Sequence, residues 1–387
     1  MASFIVPTVR RLVFVLLLFA VVPAAGAEPL EVFTWAPTAG PEALWQEALG
    51  GLKAAAKLFN DNGGIGGRPL VVNSADLNEN DPNFLANLGG LVSGRHLVGA
   101  VGGPVHLKAG ETADLFRRMK LPWLGPWSNE AALYEYSDSD PFAVLPPWSL
   151  ELPALLEHIR QVYAADAARS GPVFLVYYNF PVYQDMAAQS QETARRMGLD
   201  LKRAPLNPDF SDWEHLADYI QGSGAVIIWL SQGASAAFIR AAKNRMPEAL
   251  YLTGSANATN RNLVVLSGGA WNGVIFPAVL KPSRDIPEAY EGIIRKYGPV
   301  GLDGSYQAYL GFAQGQILAR ALVLNQGPVG GTDLPRNLYD MKGFPTLLSA
   351  PVNYNPGRHI SEGLFYLGRA YGNGHWEAAT PGRAPEQ

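Results

Sequence analysis

The chain has 387 residues, a net charge of −4, 48% hydrophobic residues and 17% charged ones. That balance belongs to a globular protein able to bury a core, and it offers no basic field for neutralising nucleic-acid phosphates, so nucleic acid is excluded as a partner. Cysteine is absent, which removes disulfides, thiol catalysis and Cys-ligated zinc together.

The first feature in chain order is an export signal. Arg10 and Arg11 precede an apolar run of 11 residues, Leu12 to Val22, and Ala25-Gly26-Ala27 follows with small residues where a signal peptidase cuts. A membrane-spanning helix takes about 20 residues, so cleavage after Ala27 is expected, which would release a free, soluble protein into the periplasm. The remaining 360 residues exceed what one core usually serves and point to two domains.

Short apolar, β-branched runs then alternate with amphipathic stretches. Leu30 to Trp35, Leu70 to Val72, Leu97 to Val101, Val173 to Tyr178, Ala225 to Leu230, Leu250 to Thr253 and Val274 to Phe276 read as buried parallel strands. Between the first two, Leu44, Ala48, Leu52, Ala55 and Phe59 line one face of a helix that Gly63-Gly64 stops. Further helices are expected over 82–95, 109–119, 149–163, 183–197, 212–221, 234–245, 287–297 and 305–324. Strand alternating with helix predicts an α/β protein with parallel sheets covered on both faces. Two such series predict two doubly wound lobes. Three Pro-rich segments, 145–148, 277–287 and 350–356, are candidates for the passages between them. The segment from Ala378 to Gln387 carries little apolar content and is expected to be a disordered tail.

The turn Asn60-Asp61-Asn62-Gly63-Gly64-Ile65-Gly66-Gly67 resembles the helix-to-strand turn of the periplasmic branched-chain amino-acid binding family, with glycines that permit positive φ. Further matches follow in order. Asp76 with Asp81-Pro82 is similar to that family's loop after the second strand, Val101-Gly102-Gly103-Pro104 to its third strand end, and Leu121 to Pro126 to its fourth. Val176-Tyr177-Tyr178 through Tyr183-Gln184-Asp185 is similar to its strand, loop and helix start in the second half, with Gln184 where Gly is usual. The resemblance implies two Rossmann-like lobes joined by a three-segment hinge, a ligand cleft between them, and delivery to the membrane permease of an ABC-type importer. Lobe 1 is then expected over 28–146 plus 280–349 and lobe 2 over 147–279 plus 350–377, in a monomer.

Open α/β sheets bind ligands beyond the carboxyl ends of their strands. The candidate ligand-binding residues are therefore Trp35, Thr38, His106, Trp127, Ser128 and Asn129 from the first lobe, with Tyr183, Ser231, Gln232, Ser255 and Asn257 from the second. In amino-acid binders of the family, hydroxyl residues after the third strand hold the ligand carboxylate, where this chain has Val105-His106-Leu107-Lys108. An acidic residue near the loop after Thr253 receives the ammonium, where this chain has Gly254-Ser255-Ala256-Asn257. With neither half of that clamp in place, the expected ligand is a neutral or largely apolar small molecule: aromatic, alcohol-like, or lipid- or sterol-like. An amino-acid receptor with an atypical clamp is the alternative. A sensing subunit of a signalling complex needs the same fold and cleft, and the sequence does not separate it from a transport receptor.

Enzymatic chemistry finds no foothold. Gly64-Ile65-Gly66-Gly67 follows a helix and precedes a strand, the reverse of a phosphate-cradling loop. Neither a P-loop nor a Gly-x-Ser-x-Gly elbow occurs, the six His never pair at metal-ligand spacing, and Asp76, Asn78 and Asn80 begin a calcium loop that Asp81 and Asn87 then break. No catalytic residue, metal or cofactor is expected.

Overall fold

The computed structural model describes residues 28–379 apart from 135–140, 168–169, 259–260, 303, 325–332 and 362. The expected signal segment and residues 380–387 of the expected tail lie outside the described residues. Two sheets organise the rest. The first holds β1 (Leu30–Trp35), β2 (Leu70–Ala75), β3 (Leu97–Val101) and β4 (Trp123–Leu124), parallel throughout, in the order β2-β1-β3-β4. The second holds β5 (Val173–Tyr178), β6 (Leu201–Leu206), β7 (Ala225–Trp229), β8 (Leu250–Thr253), β9 (Ile275–Ala278), β10 (Tyr366–Ala370) and β11 (Trp376–Ala378), in the order β11-β10-β9-β8-β7-β5-β6. Its strands are parallel from β6 to β9, and β10 and β11 extend it antiparallel. Ala378 pairs with Gly368, and the Ala379 N–H donates to the Leu367 carbonyl, so the start of the expected tail is sheet.

The helices are α1 (Trp45–Asp61), α2 (Phe84–Val92), α3 (Ala109–Arg118), α4 (Trp148–Ala165), α5 (Pro181–Arg196), α6 (Trp213–Tyr219), α7 (Gln232–Arg245), α8 (Arg261–Leu266), α9 (Glu288–Tyr297), α10 (Tyr306–Val323) and α11 (Asp333–Asp340). The α/β alternation read from the sequence is present. Strand β6 was not anticipated, because Lys202, Arg203 and Pro205 are exposed and interrupt its apolar pattern. It lies at the sheet edge, where a proline's missing N–H costs no ladder bond.

The glycine turn behaves as its sequence requires: Gly63, Gly64, Gly66 and Gly67 have φ of 96, 78, 59 and 81°. Asn60 clamps it, since its Nδ2 donates to the Leu70 carbonyl at 2.9 Å and its Oδ1 accepts the Leu70 N–H at 2.8 Å, docking the end of α1 on the start of β2. Buried on nearly every face, α10 packs along α1. Glycines set that approach: a Cβ at Gly51 would stand 1.9 Å from the Ala308 carbonyl oxygen, and one at Gly311 would stand 1.8 Å from that of Ala48.

Bonds to the flanks of the three Pro-rich segments bring the passages near one another. Tyr354 Oη donates to the Ala143 carbonyl at 2.8 Å, the Lys281 N–H to the Leu347 carbonyl at 3.0 Å, and the Ser349 N–H to the Val279 carbonyl at 2.7 Å. Beside them the Glu47 carboxylate of α1 accepts from Asn262 Nδ2 of α8 at 3.0 Å and from the Ser305 hydroxyl, tying α1, which packs on the first sheet, to a helix of the second.

Candidate functional site

Each sheet reverses its winding once. Chain order runs outward in both directions from between β1 and β3 in the first sheet, and from between β5 and β7 in the second. The strand ends flanking such reversals splay apart and leave a crevice. A cleft of about 240 Å³ lies there, bounded on one side by Leu44, Trp45, Glu79, Asn80, His106, Leu107 and Asn129. Its other wall comes from the ends of β5, β7 and β8: Tyr178, Phe180, Tyr183, Trp229, Leu230, Ser231, Gln232, Thr253, Gly254, Ala256 and Asn257. Among these described residues there is no lysine or arginine.

Six of the residues expected from sequence come together here: His106, Asn129, Tyr183, Ser231, Gln232 and Asn257. Tyr183 meets Phe180 edge-on at 6.1 Å between centroids, and the Ser231 hydroxyl lies 3.1 Å from the Tyr178 hydroxyl. Asn257 Nδ2 is spent on the Leu230 carbonyl, which fixes the floor of the second wall. Gln232 opens α7, where no side chain caps the helix, and its buried Nε2 has no hydrogen-bond partner among the described residues.

The other five do not line the cleft. Trp35 is fully buried on the face of β1 that carries Phe33, against Phe84, Phe116 and Trp123, with its indole N–H on the Pro104 carbonyl at 3.0 Å. As the last residue of a strand it follows the pleat into a core layer and does not project beyond the strand end. Trp127 is also fully buried, donating to Gln314 Oε1 at 2.9 Å and stacking behind Trp45. Thr38 is exposed and pairs through its N–H and hydroxyl with Asp76, whose carboxyl is held below its usual range by those bonds. Ser128 is buried and accepts the Glu130 N–H at 3.2 Å. Ser255 lies beneath the surface, its N–H and hydroxyl both turned to Glu151.

Three carboxylates around the cleft were missed by sequence reasoning. Glu79 lines the wall and its Oε2 accepts the N–H groups of His106 at 2.9 Å and Lys108 at 3.2 Å. Glu130 is buried 3.9 Å from His106 Nδ1, and burial pushes its carboxyl up to about 7, with His106 opposing and Glu79 adding to the rise. Glu151 is buried under Gly254, and burial pushes its carboxyl up to about 8 against the Ser255 and Asn129 hydrogen bonds. Only glycine fits at 254: a Cβ would stand 2.7 Å from the Trp229 ring and 2.8 Å from Glu151 Oε2. The loop after β8 thus does have a carboxyl beside it, supplied by α4, 104 positions earlier. Trp45, which borders the cleft, opens α1 and was not among the residues expected from sequence.

The chain belongs to the periplasmic binding protein family, whose model matches residues 35–374. Membership implies a solute-binding protein located in the periplasm or otherwise outside the cytoplasm, working with an ABC-type permease. No curated protein matches the sequence. Among solved structures, a branched chain amino acid ABC transporter protein from Thermus thermophilus with bound valine is similar at a TM-score of 0.78 and 16% identity, over 92% of this chain and 96% of that one. A fatty acid ABC transporter substrate-binding protein from Thermomonospora curvata is similar at 0.74 and 12%, over 93% of each. A solute binding protein from R. palustris in complex with 4-hydroxybenzoate is similar at 0.71 and 13%, over 91% and 96%. At these identities the likeness is one of fold, the type I periplasmic binding fold expected from the sequence.

Proposed function

We propose that this protein is the solute receptor of an ABC-type importer and holds an uncharged, largely apolar organic molecule, with the two lobes closing over it about the three chain passages. The observation that carries the reading is the cleft lining: five aromatic rings and no lysine or arginine among the described residues. A buried ring of roughly 150 Å² contributes about 4 kcal/mol, whereas a carboxylate buried without a cation costs several kcal/mol, so the charge decides against anions. The volume, about 240 Å³, sits at the low edge of small-molecule sites, roughly 300 to 1,000 Å³. That suits a single-ring compound, beside a further hollow of about 620 Å³ that shares Leu44, Ser231 and Gln232; proteins of similar fold include one with bound valine and one in complex with 4-hydroxybenzoate.

The buried carboxyls of Glu130 and Glu151 support a second reading, in which an amine-bearing ring compound ionises them on binding. Thermal shift with acetophenone, benzylamine, benzoate and leucine separates the two. Stabilisation by acetophenone supports the first reading and stabilisation by benzylamine alone supports the second. A larger response to benzoate or leucine overturns both.

A further inference from the structure

The loop between β3 and α3 borders the cleft and holds a carboxylate of the chain's own. Glu79, arriving from the loop after β2, accepts the N–H groups of His106 at 2.9 Å and of Lys108 at 3.2 Å, both through Oε2, in the loop that leads into α3. Glu79 is only 9% exposed, yet it forms part of the cleft wall together with His106 and Leu107. Two backbone N–H groups of a turn converging on one point attract an anion through their partial positive charge, and here the chain supplies that anion itself.

We propose that Glu79 is a specificity-determining residue: its carboxylate occupies the anion position formed by the His106 and Lys108 N–H groups and thereby bars carboxylate-bearing solutes from the cleft. Two effects combine. The N–H donors a ligand carboxylate would need are already satisfied, and a second negative charge beside the first meets repulsion that no lysine or arginine in the wall offsets. Charge placed against the wrong ligand is as effective a selector as contacts made to the right one. The proposal rests on the cleft being the ligand site, but the anion position can be tested without any natural ligand.

The test uses the full mature chain with Glu79→Ala, and sodium formate as a carboxylate with no hydrocarbon, against sodium chloride at equal ionic strength. The variant should melt below the wild type, and formate should restore part of the lost melting temperature while leaving the wild type unmoved. Benzoate should then bind Glu79→Ala at least about tenfold more tightly than it binds the wild type, with acetophenone little changed. A variant indifferent to formate overturns the proposal, as does formate rescue without any gain for benzoate. Where Glu79→Ala does not fold, Glu79→Gln keeps an acceptor for both N–H groups and removes the charge. Benzoate should still gain, and a folded Gln variant that excludes benzoate as the wild type does counts against the proposal. A wild type that prefers benzoate to acetophenone instead strikes the reading of the cleft as a site for uncharged solutes.

Discussion

The indoles of Trp45 and Trp127 lie parallel, 4° between planes and 5.5 Å between centroids, with Trp45 bordering the cleft and Trp127 fully buried behind it. Trp127 also donates to Gln314, whose Nε2 donates to the Gly125 carbonyl at 2.7 Å. On the proposed reading Trp45, itself only 2% exposed, is the ring placed to meet a solute, with Trp127 backing it.

The two rings should separate in experiment. Trp127→Ala leaves a large void and an unpaired Gln314, and is expected to cost about 3 to 5 kcal/mol in urea unfolding. Trp45→Phe should fold with a smaller loss and reduce the ligand-induced change in tryptophan fluorescence to the part that Trp229 reports from the opposite wall. A fluorescence response that persists in full in Trp45→Phe and vanishes in Trp127→Phe would reverse the assignment.

The raised carboxyls make stability depend on pH in a definite direction. Glu130 and Glu151, pushed by burial to about 7 and about 8, titrate near 4.3 in an unfolded chain. The native state thus binds protons more tightly between these values, and the contribution of both groups is complete below the unfolded value and lost as pH rises through 7 to 8. The free energy of unfolding should fall between about pH 5 and pH 8, by up to about 1.4 kcal/mol per pH unit for each group, and the melting temperature with it. Glu151→Gln, which keeps an acceptor for Ser255, should flatten the profile. A wild-type profile level across that range contradicts the burial of these groups as acids.

The unpaired Gln232 Nε2 and the uncapped start of α7 offer hydrogen bonds to an uncharged oxygen. Calorimetry should find acetophenone tighter than ethylbenzene, a matched skeleton without the oxygen, by about tenfold for one good hydrogen bond. Gln232→Leu should erase most of that difference. Equal affinity for the two compounds in the wild type would remove Gln232 from the site.

Much of this molecule was legible in its sequence, and the illegible parts share a cause. Strands β3, β5 and β7 are continuous apolar runs because both faces are covered, and the glycine turn after α1 announces itself through four residues at positive φ. Site residues on loops after strands, such as His106 and Gln232, follow from the rule that strand ends bound the crevice. Trp35 and Trp127 were misplaced by the same rule, because being at a strand end does not say on which side of the pleat or behind which ring a side chain falls. The acids were invisible for another reason. Glu79 acts on residues 27 and 29 positions away and Glu151 on one 104 positions away, and nothing local in an amphipathic helix or a polar loop marks a carboxyl as buried. A glutamate ahead of a short loop such as Val105 to Lys108 could have been weighed as its cap, which is the one signal available for Glu79.

The most direct measurement is the mass and charge of whatever solute the native protein carries. Protein isolated from the exporting cell without unfolding, then denatured, should release a small neutral ring compound detected at close to one equivalent. Recovery of leucine, another zwitterionic amino acid or a carboxylate at that stoichiometry would contradict a cleft built for uncharged solutes.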